Sequence, residues 1–100
     1  MRISDNQRLL VVQTCVRALG YEPVIWLFGS RIDDSQHGGD FDLLVELQGK
    51  IPLMQELHLQ YDLAKILGRK VDLLLSCVDK VDGPWQRLAK SQGVKLNEAA

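Results

Sequence analysis

Cysteine is scarce in this chain: Cys15 and Cys77 are the two in 100 residues. Neither belongs to a CxxC pair or to a Cys/His spacing that builds a zinc site, so both are expected as buried, reduced thiols. An excess of one charge is missing as well. Twelve Lys and Arg stand against thirteen Asp and Glu, a formal net charge of -1, so no global field draws the chain to a polyanion and autonomous nucleic-acid binding is not expected. No apolar run approaches the roughly 18–20 residues of a membrane span, and Met1 to Gln7 is polar where a secretory signal would be apolar. A cytoplasmic protein is therefore expected. Repeats, low-complexity segments and linkers are also lacking. The remaining composition, 46% hydrophobic and 25% charged, is that of one globular domain over residues 1–100.

What is present is a clear alternation of periods. Ser4 and Gln7 have capping-box spacing and predict a helix that stops near Gly20, with Leu9, Val12, Val16 and Leu19 as its buried stripe, widened by Leu10, Val11 and Cys15. Val24 to Phe28 is a β-prone run after Pro23, short enough to be buried on both faces, and Trp26 within it reads as core. Arg31 to Gly39 is polar and turn-rich, a loop with room for a short helical turn after Ser30. Asp33 and Asp34 are expected to be solvated there, as is His37.

Asp40 to Leu47 alternates acidic and apolar residues, the signature of a half-buried strand. Pro52 suits the first turn of a second helix that runs to about Leu67 before Gly68. It carries two apolar stripes, Leu53, Leu57, Tyr61 and Ala64 on one side and Leu59, Leu63 and Ile66 on another. That exceeds what one small sheet covers, so the surplus is either core or a surface for a partner or for self-association, a homodimer or hetero-oligomer. His58 on this helix reads as solvated. Lys70 to Leu75 predicts a third strand, with Arg69 and Lys70 as solvated strand-end charges. Gly83-Pro84 opens a last short helix, Trp85 to Ser91, in which Trp85 is assigned to the core ahead of a partner contact. The order helix, strand, strand, helix, strand, helix makes an α/β (α+β) domain with a small mixed sheet of about three strands and three to four helices.

Asp40 and Asp42 stand two apart on a strand, so they project from one face with Cα atoms about 6–7 Å apart. Aspartate suits strand interiors poorly and two such carboxylates repel, so DFDLLVEL spends local propensity on something. A hard divalent cation is the natural compensation, because Mg²⁺ takes carboxylate oxygens together with water and phosphate. Asp72, embedded in VDLLL, is a third acid where a lone charge is costly to bury. If its strand lies beside that of Asp42, three carboxylates converge and can hold two metal ions roughly 4 Å apart. Gly29-Ser30 at a strand end offers backbone and hydroxyl donors to phosphate. Taken alone, Ser30 reads as a turn residue or helix N-cap, and Arg31 divides evenly between a phosphate contact and an ion pair with Asp33 or Asp34.

Gly29-Ser30-Arg31, nine residues between Ser30 and Asp40, then Asp40-Phe41-Asp42-Leu43-Leu44-Val45 resembles the signature of the minimal nucleotidyltransferases of the DNA polymerase β superfamily. Val71-Asp72-Leu73-Leu74 and the closing segment from Gly83 to Leu96 extend the resemblance over nearly the whole chain. The loop departs from the family at Ile32-Asp33-Asp34 and Gly39, where members often carry a small or basic residue and a Gly after the Arg and a Ser before the first acid. The resemblance implies a polymerase β-like fold, two Mg²⁺ ions on Asp40, Asp42 and Asp72, and the triphosphate of ATP or another nucleoside triphosphate on Gly29, Ser30 and Arg31. It implies that Asp72 helps deprotonate an acceptor hydroxyl and that the chain transfers AMP or another nucleoside monophosphate. Members of this size are similar to antitoxins paired with HEPN-type toxins, in which a toxin tyrosine is the acceptor. A binding module that neutralises such a toxin by contact is the competing expectation, and an enzyme acting on small antibiotic-like acceptors, which usually has an additional domain, is the third.

Overall fold

A computed structural model describes residues 3–29 and 40–98. Ser30, Arg31, Asp33, Asp34 and His37, with the loop and helical turn expected around them, lie outside the described residues. Helix α1 (Asp5–Leu19) opens with the expected capping box: the Ser4 hydroxyl accepts from the Gln7 amide at 3.1 Å, and the Ser4 amide donates to Gln7 Oε1 at 2.9 Å. Strands β1 (Val24–Phe28) and β2 (Phe41–Leu47) are followed by α2 (Leu53–Leu67), β3 (Val71–Cys77), α3 (Pro84–Gln92) and a two-residue strand β4 (Val94–Lys95). The residues after Gly93 thus supply a fourth strand beyond the three expected. It is fastened by Leu96, whose amide donates to the Ile25 carbonyl at 2.7 Å, and by Asn97, whose Oδ1 accepts from the Ile25 amide at 2.9 Å.

The sheet order is β3-β2-β1-β4. β1 runs antiparallel to both β2 and β4, while β2 and β3 are parallel, as their connection through a whole helix requires. One face of the sheet presents Ile25, Leu27, Phe41, Leu43, Val45, Leu47 and Val71, all buried against Val11 and Cys15 of α1 and Leu59, Leu63 and Leu67 of α2. The opposite face carries Trp26, Phe28, Asp42, Leu44, Asp72, Leu74 and Ser76, since side chains alternate along a strand and paired residues share a face. Helix α3 packs on that second face, where Leu44 and Ala89 are buried.

Helix α1 buries a stripe other than the one its most regular spacing suggests, and α2 buries the second of its two. In α1 the buried residues are Val11, Thr14 and Cys15, while Leu9, Leu10 and Val16 are exposed. In α2 the stripe of Leu59 and Leu63 forms core together with Leu67, and Leu53, Leu57 and Tyr61 face solvent. Overlapping apolar stripes have the same period, so only the position of the neighbouring element selects between them. Trp85 is likewise not core: it is 71% exposed at the start of α3. Trp26 is half-buried on the α3 face, with the Lys95 ammonium 5.3 Å from its ring centroid and a buried Nε1 that finds no hydrogen-bond acceptor among the described residues. Cys15 is a buried free thiol pushed up to about 12 by its burial, and Cys77 is a half-buried free thiol. Among the described residues no helix is long and apolar enough to cross a membrane.

Candidate active site

Parallel pairing of β2 with β3 places Asp42 directly opposite Asp72, and antiparallel pairing of β1 with β2 places Phe28 directly opposite Asp42. The two aspartates therefore project side by side from the face on which α3 lies, at the end of the sheet where β1 stops. Their side chains share a hydrogen bond, and burial pushes the Asp42 carboxyl above the ordinary carboxylate range. Repulsion from Asp72, that shared hydrogen bond and repulsion from Asp40 raise it further, and Lys70 opposes them in part.

Asp40 precedes β2 by one residue. Its Oδ2 lies 3.9 Å from the Lys70 ammonium, which also lies 3.8 Å from Asp72 Oδ1. Sequence reasoning left Lys70 as a solvated charge, and its role depends on a spacing that was legible: Lys70 and Asp72 are two apart on an extended segment and so share a face. The ammonium is 69% exposed, so as an ion pair it adds little stability. Its position is informative as a cation drawn into a group of carboxylates. Among the described residues no set of three or more His, Cys, Asp and Glu side chains is gathered closely enough to hold a metal ion. Asp42 and Asp72 are brought together, and Asp40 joins them through Lys70.

Gly29 ends β1 with a left-handed φ of +74°, and a Cβ there would fall on Asp42 Oδ2 and within 3.0 Å of Asp42 Cγ. Glycine is thus required twice at this position, for the backbone turn and for the approach of the Asp42 carboxylate. Gly93 has a related role behind the site. A Cβ on it would strike the Ala89 carbonyl oxygen and come within 2.9 Å of the Leu27 carbonyl oxygen, so its absence lets the end of α3 lie against β1.

The seating of α3 depends on residues that periodicity did not single out. The Lys90 ammonium donates to Asp82 Oδ2 at 2.8 Å, to Glu46 Oε1 at 3.2 Å and to Ser76 Oγ at 3.3 Å, and the Ser76 hydroxyl donates to Asp82 Oδ1 at 2.6 Å. Lys90 and Ser76 hold the Asp82 carboxyl below the usual carboxylate range. Burial alone would lower the Lys90 ammonium, but Asp82 and Glu46 outweigh it and hold it above its ordinary value. The Asp82 contribution is present above its unfolded value of about 3.9 and is lost as the pH falls through the lower folded value. The Lys90 contribution is complete below about pH 10.4 and is lost as the pH rises through the higher folded value. Replacing Lys90 with Met is expected to cost about 1–2 kcal/mol of stability near neutral pH, because the partly buried Glu46 and Asp82 lose their donor. Chemical denaturation at pH 7 and at pH 3 checks this, with the deficit shrinking in acid.

Residues 23–98 match the sequence family described as polymerase beta, nucleotidyltransferase. The chain belongs to this family. No curated protein is significantly similar to this nucleotidyltransferase in sequence. Solved structures with the same fold include a tri-AMPylated HEPN toxin of Shewanella oneidensis in complex with MNT antitoxin, 20% identical, with a TM-score of 0.70 over 91% of this chain and 69% of that one. A second crystal structure from Shewanella oneidensis is 20% identical with a TM-score of 0.72, covering 93% of this chain and 71% of that one. A third, of a toxin-antitoxin with AMP-PNP, is 23% identical with a TM-score of 0.72, covering 89% of this chain and 71% of that one. At these identities the likeness establishes the polymerase β-like fold, here three helices and a four-stranded mixed sheet among the described residues.

Proposed function

We propose that this nucleotidyltransferase moves AMP, or another nucleoside monophosphate, from a nucleoside triphosphate to a tyrosine of a HEPN-type toxin and acts as its antitoxin. The in-register pairing of Asp42 with Asp72 beside Gly29 carries the proposal: two acids and a Cβ-free strand end meet at one corner of the sheet. The partner and acceptor are supported by the kinship in fold to an MNT antitoxin found with an AMPylated HEPN toxin.

The donor set suits magnesium, with carboxylate oxygens only and two of the three acids, Asp40 and Asp72, lying 3.9 and 3.8 Å from one ammonium. The paired Asp42 and Asp72 would hold it, with Asp40 turning from Lys70 to join them, and it would supply neutralisation of triphosphate charge and polarisation of the acceptor oxygen. Gly29, with Ser30 and Arg31 of the following segment, anchors the β- and γ-phosphates, so that the α-phosphorus lies over Asp42. Asp72, on the far side of Asp42 from β1, faces the acceptor and takes its proton. Catalysis then consists of alignment for in-line attack and compensation of charge.

A contact-only antitoxin is favoured by one observation, the exposed stripe of Leu53, Met54, Leu57 and Tyr61 on α2. Incubation with α-labelled ATP, Mg²⁺ and the protein encoded by the adjacent gene separates the two. Label on a partner tyrosine is expected, with neutralisation lost in the Asp40→Asn/Asp42→Asn variant. No label, with neutralisation intact in that variant, would leave the contact reading standing in place of transfer.

A further inference from the structure

Below the acid pair lies a cleft of about 240 Å³ lined by Phe28, Asp42, Asp72, Leu73, Leu74 and Trp85. It is smaller than the roughly 300–1,000 Å³ of sites that enclose a drug-sized ligand, so it holds a ring and not a whole nucleotide. Its walls are two aromatic rings and two leucines. Its polar side chains are both carboxylates, which accept hydrogen bonds when ionised and offer no pattern of donors for the edge of a nucleobase. The complementary ligand is flat and apolar, with one hydroxyl donor at its rim.

Trp85 is the unusual member of this lining. An indole 71% exposed at the second residue of a helix covers little core, yet it lines the cleft together with Asp72, and its neighbour Gln86 donates at 3.2 Å to the Leu75 carbonyl of β3, the strand that carries Asp72. Leu88, 43% exposed one helical turn later, and Val81, 93% exposed just before the helix, continue an apolar rim outward from it. The rim suits an acceptor carried on a protein surface, and the Lys90 network holds α3 and hence Trp85 in place.

We propose that Trp85 and Phe28 form the seat of a tyrosine acceptor, whose phenol ring lies against the Trp85 indole with its hydroxyl directed at Asp72. This deepens the transfer reading above and rests on it for its chemistry. In the step it serves, the phenolic oxygen forms a bond to the α-phosphorus as the bond from that phosphorus to the bridging oxygen of the β-phosphate breaks. The phenolic proton passes to the Asp72 carboxylate, and the electron pair leaves with pyrophosphate. Trp85 takes no part in bond exchange. It positions the ring and selects an aromatic acceptor over an aliphatic one, through the contact area and favourable ring geometry of an aromatic pair.

Two measurements test the seat. In two-dimensional NMR of the whole chain, N-acetyl-tyrosinamide is expected to shift the Trp85 indole N–H resonance saturably and to leave that of Trp26 unmoved, while N-acetyl-serinamide shifts neither. In transfer from labelled ATP to the partner protein, Trp85→Ala is expected to raise the acceptor KM by at least about tenfold with the ATP KM within about twofold of the parent, and Trp85→Phe to recover most of the loss. An unmoved Trp85 resonance, or a Trp85→Ala defect in ATP KM in place of acceptor KM, overturns the seat. If the parent chain transfers no label, the transfer reading fails by itself and the resonance shift still decides whether a phenol occupies the cleft.

Discussion

Replacing Asp42 with Asn is expected to reduce nucleotidyl transfer by about 10³-fold or more while making the ligand-free fold slightly more stable. The two effects share one cause. Asp42 is surrounded by Asp72 and Asp40, and burial and repulsion hold its carboxyl above the ordinary range. A carboxyl whose folded value is raised binds its proton more tightly in the native state, so stability falls as the pH rises from about 4 through that folded value. An uncharged amide removes the repulsion. At pH 7 the gain should be about 0.5 kcal/mol, an increase in Tm of about 2–4 °C, and it should vanish below pH 4. Transfer needs the opposite, an anionic oxygen beside the α-phosphate. Calorimetry across pH 3 to 8 together with the labelled-ATP assay checks both, and a variant that is destabilised at neutral pH and active would contradict the assignment of Asp42.

Gly29→Ala is expected to cost about 2 kcal/mol, a fall of about 8–16 °C in Tm, and to abolish Mg-ATP binding measurable by titration calorimetry. A side chain at φ +74° is strained whatever surrounds it, and here the added carbon meets the Asp42 carboxylate. That carboxylate must rotate away, so the anchor and the acid are lost together. Gly20→Ala is the matched control. Gly20 is also left-handed, with φ +83° at the end of α1, but open space surrounds its Cβ position. It should show the backbone strain alone, with transfer and nucleotide binding unchanged. Equal losses in the two variants would mean that the approach of Gly29 to Asp42 is unimportant.

Much of the site was readable because strands announce their faces. The alternation of Asp40, Asp42, Leu44 and Glu46 with Phe41, Leu43, Val45 and Leu47 made the acids neighbours before any fold was known. Leu44 lies on the acidic face and is buried all the same, because α3 packs on that face. Lys90, Asp82 and Ser76 were not legible at all, being an ordinary basic residue, a loop acid and a strand-end serine separated by six to fourteen residues. Trp85 was assigned to the core because aromatic residues usually are, and its exposure reflects its place at the first turn of a short helix that begins beside a cleft.

The amino-acid sequence by itself determined the two long helices and their limits, through the Ser4–Gln7 capping box and the glycines after α1 and α2. It also placed two acids on one face of one strand, and it carried the family signature from Gly29 to Asp42. Each of these is a local matter, decided by backbone geometry over a few residues. Only the tertiary structure decided that β3 lies parallel to β2 in the register that sets Asp72 against Asp42, that Lys70 joins Asp40 to them, and which of two equivalent stripes each long helix buries. Those outcomes pair residues about thirty positions apart, and they follow from packing the whole chain around one core, a constraint that no local period contains.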